Sequence, residues 1–326
     1  MRVMLTHNPE DRAAYYGRAL PQLQAVAEVK LNPLPRDMTT SELIAAASDC
    51  DVIVSHRSTH GPAAVFAESP RLLAFLRCAV DISDIDVDAA STAGVLVAHA
   101  DKSFVPSTAE LALALMLDVV RNVSESTIDY RNGVEPPQRP GRQLRGMSAG
   151  IIGHGAIGSY LAGLLRGLGV EVLITDPHSD AQTHALDELL ARSDFVLPLA
   201  PANPETADLI GERELALMKR GAFLVNVSRG ELVDETAVAA ALDRGHLGGV
   251  AMDVGRAADQ RPSPALAARS NVVATPHLGG LTPENADAQA ASTVEQVQAM
   301  LEGEIPPRAV YADAAVRVRS YWDSQA

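Results

Sequence analysis

The sequence predicts an α/β protein made of two Rossmann-like or flavodoxin-like domains, each a doubly wound parallel sheet, with a cleft between them. Three observations carry that expectation. The 326 residues suffice for two domains of ordinary size. Short apolar runs alternate with longer helical patterns, as βαβ units require. Apolar residues make up 47% of the chain but aromatics only 4%, so Ala, Val and Leu must fill the buried layers of parallel strands.

In order along the chain, Arg2–Leu5, Val26–Leu31, Asp51–Ser55 and Leu72–Val80 read as strands, with helices over Ala13–Gln24 and Ser41–Ala47. The stretch Phe104–Val120 reads as a helix apolar nearly all round, which predicts burial, with a place between domains as one option. Ser107 and Glu110 have capping-box spacing at its start, and Pro106 suits a first turn. Arg131–Gly146, with its prolines, glycines and arginines, reads as a surface loop. The alternation then restarts with a strand at Ala149–Ile152, a helix at Ile157–Leu168 and a strand at Val170–Thr175. Further strands are expected at Phe195–Leu199, Phe223–Val227, Gly249–Met252 and Val272–Thr275, and a last helix over Ala286–Leu301.

With 41 acidic and 27 basic residues the net charge is −14, and no basic cluster stands out, so nucleic acid is not an expected partner. A few local cations can still hold an anionic substrate. Cys50 and Cys78 form no CxxC pair and read as reduced thiols of a cytoplasmic protein. No signal peptide and no membrane span are expected. The acids Asp81, Asp84, Asp86 and Asp88 lack the glycine and terminal glutamate of a calcium loop, and no metal site is expected.

The sharpest local signal is Gly153-His154-Gly155-Ala156-Ile157-Gly158, which follows a strand and opens a helix. In that context Gly153 permits a tight turn, Gly155 lets the backbone approach a pyrophosphate, and Gly158 lets the helix pack close to the strand. The helix N-terminus offers free N–H groups to the phosphates. Asp176 ends the next strand at the spacing that suits an adenine-ribose 2′-hydroxyl, so NAD is expected over NADP.

Three polar residues follow later strands: Arg229, Asp253 and His277. In open parallel sheets ligands bind beyond those strand ends. An arginine can hold a carboxylate and polarise a carbonyl, and a histidine can exchange the proton that accompanies a hydride. Taken singly, a histidine after a strand is more often a satisfied loop residue, and Arg229 is readable as a surface cation.

Together with Pro204-Glu205-Thr206-Ala207-Asp208-Leu209-Ile210, Asn226-Val227-Ser228-Arg229-Gly230-Glu231-Leu232-Val233-Asp234, Ala251-Met252-Asp253-Val254 and Thr275-Pro276-His277-Leu278-Gly279-Gly280, the glycine-rich string gives a sequence that resembles the D-isomer-specific 2-hydroxyacid dehydrogenases. The resemblance implies a substrate-binding domain from 1–98 plus 291–326, an NAD-binding domain over 99–290, and a homodimer through the NAD domains. It implies that Arg229 binds the substrate carboxylate and carbonyl and that His277 is the acid/base. Asp253 would contact the nicotinamide carboxamide. Ala200, Thr206, Val227, Ser228 and Gly279 would line the cofactor. Arg57 and the backbone around Val80 and Asp81 would face a small 2-oxo or 2-hydroxy acid.

The sequence departs from that pattern at five positions. The glutamate that usually supports the histidine is Ala258, with Asp259 one residue late, and the usual Phe is Gly255. Asp81 stands where a glycine is usual; its carboxylate could repel a carboxylate substrate, accept from a hydroxyl or amine, reach toward His277, or cap its own turn. Leu199 replaces a common histidine, and His99 a common asparagine. Two functions stay open on these residues: an active dehydrogenase, on a usual acid or an altered one that contacts Asp81, or an NAD(H)-binding regulator with weak or no catalysis.

Overall fold

The computed structural model describes residues 1–257 and 260–324, which fall into two compact units. Ala258 and Asp259, singled out above, lie outside the described residues.

The first unit comprises Met1–Ser103 and Pro283–Ala326. Its strands are β1 (Arg2–Leu5), β2 (Glu28–Leu31), β3 (Val52–Ser55), β4 (Ala74–Arg77) and β5 (Leu96–His99). The second unit, Phe104–Thr282, holds β6 (Ser148–Ile152), β7 (Glu171–Thr175), β8 (Phe195–Pro198), β9 (Ala222–Asn226), β10 (Leu247–Met252) and β11 (Val272–Ala274). A last strand, β12 (Ala309–Val310), returns to the first unit and pairs antiparallel with β5. The sheet orders are β2-β1-β3-β4-β5-β12 and β7-β6-β8-β9-β10-β11. Every pairing other than β5 with β12 is parallel. Strand order therefore reverses between β1 and β3 in one sheet and between β6 and β8 in the other.

The inner strands β3, β4, β6, β8 and β9 are buried at every position, because helices cover both faces. Two apolar clusters fill the two faces of each sheet. The helix Val105–Arg121 settles into the second unit's core through Ala109, Ala112, Leu115 and Met116. Its capping box does not form. Pro106 occupies the first turn, so the helix begins ahead of Ser107, whose hydroxyl donates back to the Phe104 carbonyl at 3.0 Å.

Other expected boundaries also move. The helix expected over Ala13–Gln24 is broken into a wide turn, Arg12–Tyr16, and a helix Leu20–Val26 that restarts at Pro21, whose missing N–H fits only a first turn. The expected division at residues 98/99 and 290/291 differs from the compact units at 103/104 and 282/283. The helix Pro283–Leu301 is continuous and packs Ala290, Val294, Val297 and Met300 into the first unit's core, so it cannot be shared between units. Trp322, in the helix Val316–Asp323, donates to the Met300 carbonyl at 2.8 Å and ties the last helix to the same core.

Candidate active site

In the second unit, β6 runs into the glycine-rich turn at the switch point of its sheet. Gly153 has φ +100, a backbone open to glycine, and an added Cβ would meet the Ala200 nitrogen at 2.7 Å. The turn after β6 and the loop after β8 thus touch backbone to backbone. An added Cβ at Gly158 would lie 2.2 Å from the Gly153 carbonyl oxygen, which holds the helix Ala156–Gly167 close on the strand. At Gly155 an added Cβ would meet nothing within 4 Å. Contact with the fold accounts for two of the glycines. The third faces open space at a helix N-terminus, where a pyrophosphate fits.

Asp176 follows β7 directly. Its Oδ2 accepts from the His154 N–H at 2.7 Å and its Oδ1 from the His178 N–H at 2.9 Å. These two backbone donors, His154 first, hold its carboxyl below the usual carboxylate range. A carboxylate has about four acceptor sites, so it retains capacity for a ribose hydroxyl. We predict NADH binding at least about tenfold tighter than NADPH, because two unit charges 4 Å apart repel by about 1–4 kcal/mol near a surface. Dissociation constants from cofactor fluorescence decide it; equal or tighter NADPH binding would contradict the assignment.

The loops after β8 and β9 join at the same end of the sheet. Ser228 Oγ donates to the Ala200 carbonyl at 3.2 Å, and Thr206 Oγ1 closes its own turn on the Pro201 carbonyl at 2.7 Å. Val227 is buried beneath them. Arg229, half-buried, follows β9, with one guanidinium nitrogen donating to the Ser228 carbonyl at 3.0 Å. The backbone around it is gripped by a residue that sequence reasoning passed over. Asn226 is fully buried; its Nδ2 donates to the Arg229 carbonyl at 2.8 Å, and its Oδ1 accepts from the Ser228 N–H at 3.1 Å. The signal was present, since a buried amide closing an apolar strand requires partners. An added Cβ at the next residue, Gly230, would lie 2.2 Å from the Gly255 backbone, so the segment bearing Arg229 rests directly on the one after β10.

Asp253, fully buried after β10, spends both oxygens on the following turn. Oδ1 accepts from Thr275 Oγ1 at 2.6 Å and from the Leu278 N–H at 2.7 Å; Oδ2 accepts from the Gly279 N–H at 2.8 Å. Its carbonyl accepts from the His277 N–H at 2.9 Å. His277 sits at φ +60, a left-handed conformation uncommon for a non-glycine residue. Its N–H is shared between the Asp253 carbonyl and the Thr275 carbonyl at 3.0 Å, and the Asp253 side chain braces the residues on either side. Arg229, Asp253 and His277 therefore end three neighbouring strands, β9, β10 and β11, on one edge of one sheet.

The remaining expected residues belong to the first unit. Arg57 is exposed just past β3, and Val80 and Asp81 follow β4. Asp81 Oδ1 accepts from the Ser83 N–H at 2.9 Å, so capping its own turn is one of its roles. His99, at the end of β5, bonds through Nδ1 with the Ala100 carbonyl at 2.9 Å.

A glycine turn of this geometry at the switch point of a doubly wound sheet defines a dinucleotide-binding protein. Comparison with known proteins narrows the class. The sequence model of the D-isomer specific 2-hydroxyacid dehydrogenase NAD binding domain matches residues 113–279, and the chain belongs to this family. NAD is its cofactor. The chain is 36% identical over 285 residues to D-3-phosphoglycerate dehydrogenase of Mycobacterium leprae, across 85% of this chain and 54% of that protein. It thus spans about half the length of that relative. It is 32% identical over 316 residues to glyoxylate reductase of Thermococcus gammatolerans, across 90% of this chain and 94% of the other. The crystal structure of TT0316 protein from Thermus thermophilus superposes with a TM-score of 0.83 at 32% identity, covering 95% of this chain and all of that one.

Proposed function

We propose that this chain interconverts a 2-oxo acid and a D-2-hydroxy acid, using NAD(H). The carrying observation is that Arg229, Asp253 and His277 end three adjacent strands of the sheet that also bears the cofactor turn. When bound, NAD supplies the hydride acceptor or donor. Arg229 pairs its planar guanidinium with the substrate carboxylate and polarises the carbonyl. His277 gives a proton to the carbonyl oxygen in reduction and takes it back in oxidation. Asp253 fixes the turn on which His277 stands. This reading keeps Arg57, Val80 and Asp81 as the substrate contacts of the first unit.

The test is NADH oxidation, followed by absorbance, against a panel of 2-oxo acids that includes glyoxylate, hydroxypyruvate, pyruvate and 3-phosphohydroxypyruvate. Turnover of at least one acid supports the reading. Tight NADH binding with no turnover of any of them supports the regulator instead.

A homodimer through the second unit belongs to the same reading. Leu117, Val123, Ile128 and Tyr130 are exposed there, each at least 44% accessible, along the helices Val105–Arg121 and Val123–Arg131. A solution mass of twice 34.4 kDa is expected by light scattering, and a monomer mass would overturn it. Among the described residues no helix is long and apolar enough to cross a membrane. Cys50 and Cys78 are both buried free thiols.

A further inference from the structure

The first unit has a switch point of its own, between β1 and β3, and polar side chains gather at its carboxyl end. Asp11 lies in the short turn after β1, Asp37 in the loop after β2, and His56 immediately after β3. One ligand atom from each lies within 4.8 Å of the other two. His56 Nδ1 is 3.8 Å from Asp11 Oδ2 and 2.7 Å from Ser58 Oγ, which donates to Asp37 Oδ2 at 2.6 Å. Asn8 Nδ2 donates to Asp11 Oδ2 at 2.6 Å and fixes that carboxylate.

Two further observations mark the cluster as incomplete in itself. Asp37 Oδ1 is buried and has no hydrogen-bond partner. His7, fully buried, packs its ring against that of His56 with centroids 4.8 Å apart, and neither of its nitrogens has a partner. Buried polar atoms are almost always satisfied, so unpaired ones at a sheet's switch point indicate a missing ligand. A cation suits it, because the acceptors are two carboxylates and an imidazole.

We infer that Asp11, Asp37 and His56 bind one divalent transition-metal ion. Imidazole favours zinc and its neighbours, while carboxylates also accept manganese. Three protein ligands leave too few oxygens for calcium, which takes about six to eight. Because Ser58 gives its hydroxyl proton to Asp37 Oδ2, His56 Nδ1 donates to Ser58 in the metal-free chain; metal binding would replace that Nδ1 proton, leave the ring proton on Nε2, and engage Asp37 through its unpartnered Oδ1 while Oδ2 keeps the bond from Ser58. All three residues belong to the first unit, and the inference stands whether or not the chain is a dehydrogenase.

The experiment is calorimetric titration of zinc chloride, then manganese chloride, into the full chain stripped with a chelator. One equivalent of zinc is expected, with the dissociation constant raised at least tenfold in Asp11→Asn and in Asp37→Asn. Both substitutions preserve shape, and far-UV circular dichroism checks that they fold. Should either variant unfold, ring-nitrogen NMR of the wild type decides. Among the nine histidines, zinc is expected to move the signals of His56 and His7. Less than half an equivalent bound by wild type, wild-type affinity in both folded variants, or zinc-induced shifts confined to other histidines would overturn the site.

Discussion

Arg229→Ala is expected to lower kcat/KM by about 10²- to 10⁴-fold, the equivalent of roughly 3–5 kcal/mol for stripping a desolvated charge of its partner. The fold should scarcely notice. Among the described residues its side chain bonds to the Ser228 carbonyl alone, and the surrounding turn is held by Asn226, so stability should change by no more than about 0.5 kcal/mol. Arg229→Lys should fall between, because an ammonium keeps the charge but loses the planar fork. The measurements are steady-state kinetics on the best substrate of the panel and urea unfolding. Near-normal kcat/KM in Arg229→Ala would mean that the substrate carboxylate binds elsewhere.

His277→Asn is the second large effect. Asparagine tolerates the left-handed backbone at φ +60, so the turn on Asp253 should persist while the proton donor is lost. Removing a general acid costs about 10²- to 10⁴-fold in turnover. The pH profile gives the sharper readout. Reduction needs imidazolium, so the wild-type rate should be full below the histidine pKa and fall as pH rises through it. The asparagine variant should lose that limb. Ala258→Glu, which restores the family's usual carboxylate in sequence, should favour imidazolium and carry the limb to higher pH. An asparagine variant that keeps both rate and limb would remove His277 from the chemistry.

Much of the fold was legible because both sheets are buried on both faces. Continuous apolar runs such as Val52–Ser55 and Phe195–Pro198 are what such strands must be, and the glycine string announced its own turn. What escaped was short or context-dependent. β5 and β12 were not expected, nor were the helices Ala63–Glu68, Val87–Thr92 and Glu235–Asp243. Helices of six to nine residues are too short for a 3.6-residue period to declare itself. β12 is a two-residue strand that exists only because β5 offers it an edge. Ser107 and Glu110 show the opposite failure: the spacing of a cap was present, but Pro106 had already taken the helix start.

The candidate site divides in the same way. Residue types and order single out Gly153, Gly155, Gly158 and Asp176 as candidates, because a phosphate-binding turn and a ribose acceptor require particular chemistry at a strand end, and the family resemblance adds Arg229 and His277 as the candidate anchor and proton carrier. Sequence alone also determines family membership. Only the tertiary structure decided that both oxygens of Asp253 are spent on Thr275, Leu278 and Gly279, and that Asn226 grips the Arg229 turn. It alone brought Asp11, Asp37 and His56 together across 45 residues of chain. The reason is physical. A strand's end is encoded locally, by where an apolar run stops, whereas which strand ends become neighbours is set by sheet order, and that order is fixed by packing between elements far apart in sequence.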